Sequence, residues 1–256
     1  MCGIFFFLST SEPVLPTEET CCLLRQRGPD SFRVHTLQRD AQVQSVSQDE
    51  AEGQLKTVTA HLTFISTVLS LRGHHVHTQP LVDNASQSVL CWNGEAWKVA
   101  GEPVQGNDAE LIFQLFLQAV KPSSAPEGPD TTDHRNDDND DAAQRLADVT
   151  SSISGPFSFV FFDAYNTRLF FSRDCLGRRS LLKGVDEMGN LKICSICDGT
   201  SSVPFEEVGT DGVYMIDLAG ASGDMNSIKT LPWTNNEHLP PFHLVRETLL
   251  VGSKLR

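Results

Sequence analysis

The chain has 256 residues, 39% of them apolar, with 18 Gly and 13 Pro. That is enough to bury one sizeable core in one domain or one and a fraction, and it excludes a disordered tail or a coiled coil. Twenty Lys and Arg against 33 Asp and Glu give a formal net charge of -13, which repels phosphate backbones and argues against nucleic acid as the main partner. No apolar run approaches the roughly 20 residues needed to span a bilayer, and seven Cys without framework spacing suit a reduced compartment. No membrane partner is expected; the expected location is the cytoplasm, with nuclear entry left open.

Met1-Cys2-Gly3 runs straight into the apolar stretch Ile4 to Leu8. No positively charged region precedes it, so it is not a signal-peptide core but a buried strand beginning almost at the terminus. Terminal residues fray unless something holds them, so such a strand gives Cys2 a fixed place. A short helix is predicted from Thr17 to Arg25, ending at a turn over Arg27-Gly28-Pro29-Asp30. Residues 38 to 56, rich in Gln, Ser, Asp and Glu, read as a solvated loop or weak edge. Leu62 to Leu71 is a β-rich segment running into Arg72-Gly73, and Ser88 to Trp92 is a second strand ending at Asn93-Gly94, a strong turn signal.

From Asp108 to Val120 the period changes to helical, with Leu111, Ile112, Leu115, Phe116 and Ala119 on one face, Asn107 or Asp108 as N-cap, and Pro122 closing the helix. Residues 121 to 141 read as a disordered surface insertion: between Pro126 and Asp141 there are seven acidic residues and one Arg, too little apolar area to offset ordering. Helical periodicity resumes at Ala142 to Val149. Ser158 to Phe162 and Leu169 to Phe171 form a hairpin, and further strands are expected at Ser180 to Leu182, Lys192 to Ile196 and Val213 to Asp217. Many strands and few helices favour layered α+β over a doubly wound fold. A short helix is expected over Phe242 to Leu250. Neither Gly-x-x-x-x-Gly-Lys nor Gly-x-Gly-x-x-Gly occurs.

If Met1 is removed, Cys2 presents both a thiol and a free α-amine. An amine with an ordinary pKa near about 8 is partly neutral at pH 7 and can take the thiol proton directly or through water, and the thiolate is the better nucleophile. Acyl transfer to it creates an oxyanion, which needs preorganised donors such as a side-chain amide and a backbone N–H. Asn93 and Gly94 offer that pair at a strand end.

Cys2-Gly3-Ile4, Arg27-Gly28-Pro29-Asp30, Arg72-Gly73, Gln79-Pro80, Trp92-Asn93-Gly94-Glu95, Asn107-Asp108-x-Glu110, Gly155-Pro156-Phe157-Ser158-Phe159 and Arg173-Asp174-x-x-Gly177-Arg178-Arg179-Ser180-Leu181 follow one another in order. Together, over roughly residues 2 to 217, they resemble the class II glutamine amidotransferase domain, and within that group the glutaminase half of asparagine synthetases. The resemblance implies an N-terminal nucleophile hydrolase fold, a four-layer αββα sandwich. It also implies that Cys2 attacks the side-chain amide of glutamine, forming a thioester that is hydrolysed to glutamate after ammonia leaves. Asn93 and the Gly94 N–H would form the oxyanion hole, Arg72 would pair with the glutamine α-carboxylate, Asp108 would hold the α-ammonium, and Glu95 would add a polar contact beside it.

Local reasoning supplies competitors. Arg72 reads equally as a surface salt-bridge residue at a strand end, and Asp108 as a helix cap with less capacity left for an ammonium. Arg27, Asp30, Arg173 and Asp174 read as internal ion pairs or turn-fixing groups. His74, His75 and His77 fall on a wet loop without a convincing third zinc ligand, and Cys194-x-x-Cys197 lacks the second half of a zinc knuckle. Cys21, Cys22, Cys91 and Cys175 read as ordinary small residues. No cofactor is expected for the glutaminase chemistry. ATP and Mg would serve only a complete synthetase domain, whose Ser-Gly-Gly-x-Asp-Ser loop is absent from this sequence; residues 218 to 256 resemble the linker and beginning of that domain. A fragment or truncated product, working with a synthetase domain or protein partner, is the resulting expectation. The alternatives are a weak or inactive scaffold of the same fold and an amidotransferase feeding another acceptor.

Overall fold

The computed structural model describes residues 1–44, 55–71, 75–122, 134–197, 204–219 and 227–233, with backbone alone at 43, 44, 55 and 134–140. In chain order the elements are β1 (Gly3–Ser9), α1 (Glu18–Arg27), β2 (Ser31–Gln44), β3 (Leu55–Val68), β4 (Leu81–Val82), β5 (Val89–Gly94), β6 (Lys98–Val99), β7 (Glu102–Pro103), α2 (Asp108–Val120), α3 (His134–Ser151), β8 (Ile153–Ser154), β9 (Phe157–Asp163), β10 (Arg168–Arg173), β11 (Leu182–Val185), β12 (Leu191–Cys194), β13 (Glu206–Glu207), β14 (Gly212–Asp217) and β15 (Lys229–Pro232). One six-stranded sheet runs β13-β11-β12-β1-β3-β2, a second β15-β14-β10-β9-β5-β4, and a small sheet joins β7, β6 and β8. The fold is mixed α/β with few helices and antiparallel strand pairing, so the doubly wound alternative is excluded.

The side-chain period of two explains how the sheets pack. All seven residues of β1 are buried. Ile4, Phe6 and Leu8 enter a core shared with Val89, Cys91, Val160, Phe162, Leu169 and Phe171 of the second sheet, whereas Phe5 and Phe7 face the other way, onto Leu24 of α1. The second sheet behaves alike: Leu90, Trp92, Phe159, Phe161 and Phe170 point away from the shared core and meet Ile112 and Phe116 of α2 and Leu146 of α3. A strand buried on both faces must read as a continuous apolar run, which is why β1, β5 and β9 carry no alternation.

Several expectations are corrected. Most of the stretch read as a loop at 38 to 56 is strand: β2 and β3 pair over 14 residues, from Ser31↔Val68 to Gln44↔Leu55; residues 45–54 lie outside the described part. β2 is an edge strand whose exposed positions are mostly polar, such as Arg33, Thr36, Gln38 and Asp40, and charged edges of this kind hide a strand from a hydrophobicity reading. Asn93-Gly94 is no turn. Both residues lie in β5, opposite Ser158 and Phe157, and Gly94 is required by close approach, since a Cβ there would meet Phe157 Cβ and Pro156 O at 2.8 Å. The helix α3 begins at His134, eight residues before the apolar periodicity, so residues 134–141 of the acidic segment have helical backbone. Residues 123–133, and the helix expected over Phe242 to Leu250, lie outside the described residues. Beyond residue 217, β15 pairs with β14. Among the described residues, no helix is long and apolar enough to cross a membrane.

Candidate active site

The start of the chain is pinned from several directions. The Gly3 N–H donates to Thr67 Oγ1 at 2.9 Å, and that hydroxyl donates to Leu24 O at 2.8 Å, tying β1 to β3 and α1. The Ile4 N–H donates to Ser195 Oγ at 2.8 Å. Arg27 closes the arrangement: its Nε donates to the Cys2 carbonyl and its Nη1 to the Ser195 carbonyl, each at 3.2 Å. Gly3 permits this packing, because a Cβ would lie 2.5 Å from Thr67 Oγ1. The fixed place expected for Cys2 is therefore built by backbone contacts on both sides of it.

Cys2 opens onto a cavity lined also by Asn93, Gly94, Glu95, Asp108 and Arg179. Five of the six residues singled out from the sequence, Cys2, Asn93, Gly94, Glu95 and Asp108, thus share one space. Arg72, the sixth, lies outside the described residues, as do Gly73 and His74.

Strand β5 presents two of these groups by ladder geometry. The Glu95 N–H donates to Pro156 O at 2.9 Å, so in the antiparallel register the N–H groups of residues 92 and 94 point away from β9. The Trp92 N–H is taken by Gln79 Oε1 at 2.7 Å; the Gly94 N–H projects to the same side two residues on. Asn93 is buried, and its Nδ2 has no hydrogen-bond partner among the described residues. A buried amide donor without an acceptor is costly and calls for a reason.

Asp108 is not the helix cap. Asn107 takes that role, its Oδ1 accepting the Glu110 N–H at 3.0 Å, which leaves Asp108 at the first helical position. There its Oδ2 accepts from Trp92 Nε1 at 3.1 Å and from the Ala96 N–H at 2.9 Å. Among the described residues both bonds fall on Oδ2, so Oδ1 keeps acceptor capacity. Glu95 Oε1 stands 3.8 Å from Arg179 Nη2.

Burial pushes the Cys2 thiol above its ordinary pKa. The Leu69 backbone N–H, the terminal amine and Arg179 oppose that, while Asp108 adds to it. The Met1 amine is held below its ordinary value by burial first, with Arg27 and Arg179 acting in the same direction and Cys2 against it. With Met1 in place, burial thus shifts both the terminal amine and the neighbouring thiol toward their neutral forms. Met1 itself lines the cavity and is half exposed.

Three further lining residues, Arg179, His77 and Gln79, are not assigned to this site from the sequence, where His77 is weighed only as a metal ligand. Gln79 and Arg179 belong to the ordered motifs, but nothing in their spacing told a cavity residue from a scaffold one. His77 Nδ1 lies 2.9 Å from Glu110 Oε1. Among the described residues, no group of three or more His, Cys, Asp or Glu is arranged to hold a metal. Cys194 is buried and Cys197 is exposed, and the two are not joined by a disulfide. Asp174 and Arg173 serve internally: Asp174 Oδ1 pairs with Arg178 Nε at 2.8 Å while Oδ2 accepts the Phe157 N–H, and Arg173 pairs with Glu207 at 2.8 Å. Asp30 Oδ2 accepts the Ser70 N–H at 2.7 Å. Among the described residues Arg27 has no such ion pair and holds two carbonyls instead.

No family model matches the chain. Asparagine synthetase domain-containing protein 1 of Bos taurus is 29% identical over 241 residues, covering 91% of this chain and 31% of the relative. The Mus musculus protein of the same name is also 29% identical, with 91% and 32% covered. The chain spans about a third of the length of these curated relatives. Among solved structures, the glutamine phosphoribosylpyrophosphate amidotransferase of B. subtilis, complexed with ADP and GMP, aligns with a TM-score of 0.50 at 15% identity, covering 91% of this chain and 50% of that one. A second, an allosteric regulatory enzyme of purine biosynthesis, gives 0.52 at 16% identity, covering 91% and 49%. The chain is therefore similar, at low identity over most of its length, to asparagine synthetase-like proteins, and similar in fold to an amidotransferase.

Proposed function

We propose that this chain is a class II glutamine amidotransferase domain that hydrolyses glutamine to glutamate and ammonia through a thioester on Cys2. The reading is carried by one observation: Cys2, the orphaned Asn93 amide, Gly94 and Asp108 line a single cavity. The facing sheets with helices on their outer sides support assignment to the four-layer αββα sandwich of N-terminal nucleophile hydrolases.

In the proposed reaction Met1 is first removed, and the Cys2 amine takes the thiol proton. The sulfur attacks the amide carbon of glutamine, forming the C–S bond and an oxyanion that accepts from Asn93 Nδ2 and the Gly94 N–H. The amine returns the proton to the amide nitrogen as the C–N bond breaks, and ammonia leaves. Water then attacks the thioester, releasing glutamate and restoring the thiol. Asp108 receives the substrate ammonium on Oδ1, with Glu95 beside it, and Arg72 is assigned the α-carboxylate, which a guanidinium fork suits. Glutamine hydrolysis on this scheme uses no cofactor. ATP and Mg belong to the activation of an acceptor by a synthetase domain or partner, which is how we link the chain to asparagine biosynthesis, with the cytoplasm as its location.

The test is intact mass with amino-terminal sequencing, followed by labelling with a glutamine-derived electrophile. The label is expected on Cys2 of Met-free protein, and Cys2→Ala should lose label and glutaminase activity together; activity that persists in Cys2→Ala assigns the chemistry elsewhere. Glutamine, aspartate and Mg-ATP supplied to this chain alone should give no asparagine by mass.

A further inference from the structure

Arg179 stands out among the cavity residues because its surroundings fix it without neutralising it. The turn that carries it is over-determined. Asp174 Oδ1 accepts from the Leu176 N–H at 3.2 Å and from Arg178 Nε at 2.8 Å, and Oδ2 accepts the N–H groups of Arg178 and Phe157, each at 3.1 Å. Gly177 takes φ +62, a left-handed conformation that glycine adopts readily. Arg178 is turned outward, donating to Gly155 O at 2.7 Å and lying over the Trp97 ring. On the far side Ser180 Oγ donates to Ser195 O at 2.8 Å, the same carbonyl that Arg27 grips beside Cys2. Arg179 is therefore delivered to the cavity from a frame that also holds the nucleophile.

Its own contacts are sparse. The nearest carboxylate, Glu95, is 3.8 Å away, beyond hydrogen-bonding range, and Arg179 Nε is buried with no partner among the described residues. The side chain is only 17% exposed, so its charge is weakly screened. The charged and titratable groups facing Cys2 are the terminal amine, Arg27, Arg179 and Asp108, with Glu95 and His77 also on the cavity wall.

We propose that Arg179 is a positioning residue for the nucleophile: its guanidinium, carried into the cavity by an anchored turn and incompletely paired with Glu95, sets the charge balance at the Cys2 thiol, favouring thiolate over thiol. This deepens the glutaminase reading and rests on it for its purpose. The charge effect itself exists whether or not glutamine is turned over. With Met1 in place, Arg179 also disfavours protonation of the terminal amine.

The test reads the thiol directly. Alkylation of Cys2 by iodoacetamide is followed against pH by fragment-ion mass spectrometry of the amino-terminal peptide, which assigns the label to Cys2 and not to Cys21 or the exposed Cys22 on the same stretch of chain. In R179M the midpoint should rise by roughly a few tenths of a pH unit, since the lost opposite charge is one of several influences on the thiol. R179K should recover at least half of the shift. E95Q, which removes the counter-charge, should move the midpoint down with its thermal melt unchanged; because unfolding would also lower a thiol raised by burial, the rise in R179M is the sign that loss of folding would not produce. An R179M midpoint equal to the parent's, an R179K midpoint no lower than that of R179M, or one that fails to fall in E95Q overturns the proposal. Glutaminase assays on the same samples keep the readings apart: a parent without activity but with the expected midpoints sinks the function and leaves the charge effect standing.

Discussion

Asn93→Ala separates a catalytic donor from a structural one. Asn93 is 1% exposed, and its Nδ2 reaches no acceptor among the described residues. An unsatisfied buried polar group carries a penalty of about 1–3 kcal/mol in the resting protein. Truncation removes that penalty but also deletes packing atoms at a buried position opposite Ser158 of β9, a loss of about 1–2 kcal/mol by analogy with modest core deletions. The two nearly cancel, so stability should change by no more than about 1 kcal/mol, which in a protein of this size moves Tm by about 2–4 °C. If Nδ2 instead stabilises an oxyanion, kcat should fall by about 10²–10³, the effect of removing one such donor. Thermal melts and initial rates of glutamate release, measured on the same preparation, give both numbers. Activity within tenfold of the parent would refute the oxyanion role. A loss of more than about 3 kcal/mol in stability would refute the claim that the amide is idle in the resting fold.

Two further outcomes follow from named contacts. Asp108→Asn keeps an oxygen that can accept from Trp92 Nε1 and the Ala96 N–H, so Tm should hold, but it removes the charge offered to an ammonium; KM for glutamine should rise by at least about tenfold with a smaller change in kcat, checked by steady-state kinetics. Burial pushes the Asp163 carboxyl up to about 6 against bonds from Asn166 and the Tyr165 N–H and the charge of Arg168. The folded state therefore holds this proton more tightly than the unfolded one. Its contribution is complete below the unfolded value near 3.8 and is lost as pH rises through about 6. Melts from pH 4 to 7 should show the stability of the parent, relative to Asp163→Asn, falling by up to about 3 kcal/mol; a flat difference would contradict the shift.

What the sequence disclosed depended on whether a residue's neighbours were local. β1, β9 and α2 were legible because their apolar patterns are set by the faces they bury: runs such as Ile4 to Leu8 face two cores, and Ile112 and Phe116 face one. β2 was not, because an edge strand with one solvated face needs few apolar residues and its partner register is fixed by β3, beyond a polar segment. Asn93-Gly94 carries a turn signature whose usual cause, a backbone of positive φ, is absent; here glycine answers a cross-strand approach by Phe157 that no local pattern records. The site divides along the same line. Cys2, Asn93, Gly94, Glu95 and Asp108 were found through ordered motifs, yet the sequence left Asp108 divided between capping and binding. The capping half is decided only by seeing Asn107 take the cap while Asp108 turns to Trp92 and Ala96. Arg178 and Arg179 are the sharpest case, adjacent and chemically identical. One is bonded to Asp174 and the Gly155 carbonyl, and the other enters the cavity. What separates them is the left-handed glycine before them and the carboxylate that captures the first, so the positive charge beside Cys2 is assigned by the fold of the turn and not by the letters that spell it.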